Sequence, residues 1–122
     1  MIERIEDLPE PVVGMRAEGK VEKADYQEIV IPAVRAVLDR HERVRLLYVL
    51  GDDFDGYSIG AMWEDTKLGA GHLRSWERIA VVTDADWVEN AVKAFGWMIP
   101  GEVRAFDDDD EAEARAWVTE GL

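Results

Sequence analysis

Residues 44–50, Val44-Arg45-Leu46-Leu47-Tyr48-Val49-Leu50, form a short and nearly continuous apolar run. Charged residues stand before it and Gly51 follows, which is the pattern of a β-strand covered on both faces. A strand of that kind belongs near the middle of a sheet with helices on either side. The segments around it bear this out in their periodicity.

Before the run, Tyr26, Ile29, Val30, Ala33, Val34, Val37 and Leu38 recur at three and four, with Glu28, Arg35, Asp39 and Arg40 on the other face. That spacing predicts an amphipathic helix beginning at Asp25. Pro32 lies within it and lacks an N–H for the carbonyl four residues back, so a bend near Glu28 or a later start is expected. Further back, Met1 to Ile5 and Val12 to Val21 read as two strands joined by the turn Leu8-Pro9-Glu10-Pro11.

After the run, Ser58 to about Ser75 carries Ile59, Met62, Trp63, Thr66, Ala70 and Leu73 on one stripe and predicts a second helix. Arg78 to Thr83 predicts another buried strand, and Thr83-Asp84-Ala85-Asp86 a capping box opening a third helix with Trp87, Val88, Ala91, Val92 and Phe95 inward. Glu102 to Phe106 and Asp109 to about Thr119 complete the series as a last strand and helix, the latter burying Ala114, Trp117 and Val118. The predicted class is α/β: repeated β-α units in one domain spanning residues 1–122, with about five strands in a mostly parallel, mixed sheet and about four helices. A length of 122 residues suits one core.

Composition narrows the functions. With 14 Lys and Arg against 27 Asp and Glu, the net charge of −13 repels phosphate backbones, and nucleic acid is excluded as a partner. The absence of cysteine removes disulfides and thiolate chemistry. No apolar run reaches the length of a membrane span, and the acidic start lacks the features of a signal peptide. A soluble, cytoplasmic protein is expected.

The residues also resemble a known family. The passages "GMRAEGKVEKADYQEIVIPAVRAVLDRH" (14–41), "VRLLYVLGDDFDGYSIGAMWED" (44–65), "ERIAVVTDADWVENAVKAF" (77–95) and "GEVRAFDDDDEAEARAWV" (101–118) are similar to the SpoIIAA-like group of small bacterial proteins. Gly19-Lys20 to Tyr26, Trp63-Glu64-Asp65 and Glu102 to Phe106 are the most specific pieces. The resemblance implies a fold related to the STAS domain of anti-sigma-factor antagonists and brings no assigned activity with it. Those antagonists carry a phosphorylatable serine in an Asp-Ser-Ser-Gly-type motif after a central strand. Ser58 stands in a comparable place, with one serine instead of a pair and no glycine directly after it.

The stretch "GDDFDGYSIG" (51–60) then poses the question of chemistry. As a calcium loop it would need an oxygen ligand at the first position and a glutamate at the twelfth, where Gly51 and Met62 stand. No metal and no cofactor is expected. As a turn it is accounted for by Gly51 and Gly56 at positive φ, with Asp55 or Ser58 capping the next helix. The acidic run Asp107 to Glu111 is read in the same way, as an N-cap with first-turn carboxylates. Asp52, Asp53, Asp55 and His72 are the groups available to an acid-base enzyme, with or without a divalent cation.

The aromatic residues supply the remaining lead. "GWMIP" (96–100) places Trp97, Met98 and Ile99 side by side in a connection, where they either plug the core or line a surface for an apolar ligand, a partner chain or a peripheral membrane contact. Trp63 and Trp76 would extend that surface. The leading expectation is a non-catalytic module binding a partner protein or small apolar ligand at the carboxyl ends of its strands. Its site residues would be Asp55, Tyr57, Ser58, Trp63, Trp97, Met98 and Ile99, and an apolar helix face would allow a homodimer. The alternative is the small acid-base enzyme.

Overall fold

A computed structural model describes residues 2–9, 11–21, 23–51, 55–56, 76–84 and 101–122. Five strands form the main sheet: β1 (Ile2–Ile5), β2 (Val12–Ala17), β4 (Val44–Leu50), β6 (Trp76–Val82) and β7 (Glu102–Phe106), in the order β1-β2-β4-β6-β7. β1 runs antiparallel to β2, and the other neighbours are parallel. Two short strands, β3 (Lys20–Val21) and β5 (Asp55–Gly56), pair in parallel as a separate sheet. The mixed α/β class expected from the periodicity is the one observed.

β4 sits at the centre, and all seven of its residues are buried. Val44, Leu46, Tyr48 and Leu50 enter one core with Val13, Met15, Ile79 and Val81. Leu47 and Val49 enter the other with Val12, Ala80 and Val82. Because side chains alternate across a strand, only a sheet covered on both faces leaves such a run without a polar side.

The first face is covered by a helix over residues 23–38, which contributes Val30, Ala33, Val34 and Val37. Its irregularity falls where Pro32 predicts one, in a different form. A π-helical turn, Tyr26–Val30, precedes the regular segment Ile31–Leu38, in which the proline occupies the opening turn. An i→i+5 pattern ahead of the proline accommodates its missing donor without ending the helix. The second face is covered by the helix Glu111–Val118, which buries Ala114 and Val118 and leaves Trp117 half-exposed. These are two of the four expected helices; the other two, from Ser58 to about Ser75 and with the inward stripe Trp87 to Phe95, lie outside the described residues.

One local expectation is corrected. The strand read from Val12 to Val21 breaks after Ala17, because Gly19 turns the chain at φ 60° and sends Lys20–Val21 into the small sheet. A left-handed residue in mid-strand ends the ladder, and glycine takes that conformation without strain. Gly14 matters for a different reason: a Cβ there would lie 2.5 Å from Leu8 Cδ1 and 2.8 Å from Ile5 Cβ. The β1–β2 turn can fold down onto the sheet only because that position is bare.

Candidate functional site

The parallel strands β2, β4 and β6 end together, with Ala17 beside Leu50 and Val49 beside Val82. Gly51 donates its N–H to the Ala17 carbonyl at 2.8 Å, so the exit from β4 is tied to the end of β2. Beyond it, Asp55 pairs with Lys20 and Gly56 with Val21 in register. The buried Thr83 donates its N–H to the Phe106 carbonyl at 2.9 Å and closes the far side. Open α/β sheets bind ligands beyond the carboxyl ends of their strands, and "GDDFDGYSIG" leaves the sheet at that end.

The reading of this stretch as a plain strand-to-helix turn changes. Asp55–Gly56 form a strand instead of a helix cap, and positive φ among the described residues occurs at Gly19 and Gly121, not at Gly51. Tyr57, Ser58, Trp63, Trp97, Met98 and Ile99 lie outside the described residues, as do Asp52, Asp53 and His72. Trp76 is corrected outright. It opens β6 at 2% exposure inside the first core and belongs to no surface.

Ion pairs concentrate around the helix Glu111–Val118. At its start, Arg16 of β2 donates through one nitrogen to both Glu111 oxygens at 3.1 and 3.2 Å. At its end, the buried Arg45 donates Nη1 to the carbonyls of Val118 at 3.0 Å and Glu120 at 2.7 Å, and Nε to Glu77 at 2.6 Å. Arg78, the register partner of Arg45, donates to the Trp117 carbonyl at 2.7 Å. The last carbonyls of a helix have no intrahelical donors and carry the negative end of its dipole, so two guanidinium groups satisfy both needs. Arg78 and Arg104 also lie over the Trp117 ring, and Arg104 over Phe106.

These arginines are what the sequence reading missed. The signal was present in "VRLLYVL": one cation inside an otherwise apolar strand requires a buried partner. The acidic run behaves partly as expected. Asp107 precedes a short 3-10 turn, Asp108–Asp110, and its carbonyl accepts the Asp110 N–H at 2.9 Å, but its side chain makes no capping bond. No group of three His, Cys, Asp or Glu among the described residues is arranged to hold a metal. Among the described residues, Asp7 is the carboxyl with a clear shift, held below its ordinary value by a hydrogen bond from Arg115.

A shallow, open groove of about 400 Å³ runs between β1 and the first helix. Ile2, Ile29, Pro32, Ala33 and Ala36 make its apolar surface, and Arg4, Glu6 and Glu28 its charged rim. Ala33 and Ala36 keep it open, since the stripe Ile29, Pro32, Ala33, Ala36 flanks the core stripe and narrows to methyl groups. No helix among the described residues is long and apolar enough to cross a membrane.

The SpoIIAA-like family model matches residues 12–119. A solved structure similar to this chain is that of an uncharacterized protein of the DUF3478 family with a SpoIIAA-like fold, from Shewanella loihica PV-4. The two are 28% identical with a TM-score of 0.69, over 97% of this chain and 90% of the other. No match was found among curated proteins.

Proposed function

The chain belongs to the SpoIIAA-like family, and from that premise we propose that it is a non-catalytic, cytoplasmic STAS-like module that binds a partner protein or a small apolar ligand beyond the carboxyl ends of its strands. The observation that carries this reading is the pairing of Lys20–Val21 with Asp55–Gly56. It fixes the residues directly before Tyr57 and Ser58 at the end of the sheet, where a binding loop gains a rigid base. Trp63, Trp97, Met98 and Ile99 supply the apolar contacts and Asp55, Tyr57 and Ser58 the polar ones. Phosphorylation of Ser58 would add nearly two negative charges there and act as the switch.

The paired cations serve the fold itself. Arg16, Arg45, Arg78 and Arg115 are all engaged with the carbonyls or acids that seat the C-terminal helix. Native mass spectrometry of the protein purified from its host tests the reading. A retained apolar molecule or a second protein is expected, kept in the Asp52→Asn/Asp53→Asn variant and lost in Ile99→Asp. A bare chain, or retention that disappears with the two aspartates and survives Ile99→Asp, overturns it.

A further inference from the structure

We propose that β7 is the contact between two copies of this chain, which join edge to edge about a twofold axis through Val103. The inference is independent of the binding reading above. Among the described residues β7 pairs with β6 alone, so the other side of Glu102–Phe106 is an open backbone edge. An edge of that kind is a template for another strand. None of the residues of β7 is buried, although β6 beside it is buried over most of its length.

The backbone selects the register. The Phe106 carbonyl accepts the Thr83 N–H, so Phe106 faces β6, and by alternation Arg104 and Glu102 face it too. Val103 and Ala105 therefore turn their N–H and C=O groups outward. In an antiparallel pairing centred on Val103, that residue exchanges both backbone hydrogen bonds with Val103 of the second copy, and Ala105 comes opposite Gly101 of the second copy. A twofold axis normal to the sheet keeps each residue and its opposite on one face.

The charges agree with that register and favour a second copy as the occupant. Glu102 and Arg104 are exposed, share one face and have no ion pair among the described residues. Centred on Val103, the pairing sets Glu102 opposite Arg104 of the second copy and Arg104 opposite its Glu102, with both positions inside the strand. These are the non-hydrogen-bonded positions, where side chains come closest and opposite charges stabilise most. Arg104 lies over the Phe106 and Trp117 rings at 5.1 and 5.4 Å, which hold the guanidinium in place without neutralising it. The other register with outward groups on its axis, centred on Ala105, puts Arg104 opposite Phe106 and leaves Glu102 without a cation. At the far edge of the sheet, no twofold register within Ile2–Ile5 brings Arg4 opposite an acid.

A ladder this short buries little area, so sedimentation velocity over a series of rising concentrations is the measurement that reads it. The wild-type chain is expected to form a twofold species, and Glu102→Arg and Arg104→Glu each to weaken it about tenfold or more, because each sets like charges across both symmetry-related pairs. Mixed in equal amounts, the two single variants recreate both pairs between them and are expected to associate about as tightly as the wild-type chain. Circular dichroism checks folding, and both positions are exposed. The double variant Glu102→Arg/Arg104→Glu carries the pairs in reverse and is expected to recover most of the self-association, which decides the matter should a single variant fail to fold. A wild-type monomer up to about 1 mM, single variants that associate normally, or a mixture and a double variant as weak as the singles would each overturn the proposal.

Discussion

The helix over residues 23–38 meets the sheet with Val30, Ala33, Val34 and Val37, while the helix Glu111–Val118 meets the opposite face with Ala114, Val118 and half of Trp117. The first is held by apolar area, and no arginine of the sheet reaches its carbonyls among the described residues. The second presents two small side chains and is fastened by Arg16 at its start and by Arg45 and Arg78 at its end. One sheet thus carries two kinds of cover. Burial of apolar surface is non-directional, whereas charge-assisted hydrogen bonds fix the position of each helix end.

Removing apolar volume beneath the first helix should have the larger effect. Met15 is fully buried in that core, and Met15→Ala is expected to cost about 2 to 5 kcal/mol in urea unfolding, from lost transfer energy and the cavity left behind. Amide exchange should rise throughout the sheet. A cost under about 1 kcal/mol would mean that the first face is not the main support.

Arg45→Met should cost less and act locally. It keeps the aliphatic length and removes the donors to Val118, Glu120 and Glu77; water replaces the two part-buried bonds, so the loss is about 1.5 to 3 kcal/mol, that of the one buried charged hydrogen bond, to Val118. Exchange of the amides in Glu111–Val118 should accelerate before that of residues 23–38. Equal acceleration in both helices would erase the distinction between the two faces.

Those two faces were unequally legible in the sequence. "VRLLYVL" announced a central strand with cover on both sides, and the spacings of Val30, Val34 and Val37 and of Ala114 and Val118 identified the buried stripes. Periodicity reports repeated burial, and these elements repeat. The pairing of Lys20–Val21 with Asp55–Gly56 is a two-residue ladder between distant segments, too short to carry a period. The burial of Trp76 was hidden for the same reason, since it opens a strand and has no earlier strand residue to set its face. Of the expected site residues, Asp55 alone falls among those described, and its position in a strand reflects a tertiary pairing that overrode the local turn composition.

The weakest tie on the arginine-fastened face is the link between Asp7 in the β1–β2 turn and Arg115 on the helix. The hydrogen bond and charge of Arg115 hold the Asp7 carboxyl below its ordinary value of 3.8. A carboxyl depressed in the folded state binds its proton more readily in the unfolded chain. It therefore contributes stability above its unfolded pKa and loses that contribution as pH falls through the lower folded value. Asp7 is fully exposed, so the effect is small and screened by salt. Asp7→Asn should lower the urea midpoint slightly at neutral pH, and the difference from the wild-type chain should close as pH falls below the lowered folded value, where the carboxyl is protonated in both states. A gap that persists at that pH would assign the effect of the substitution to packing beside Leu8, which covers Gly14, and the turn would then be held by contact instead of charge.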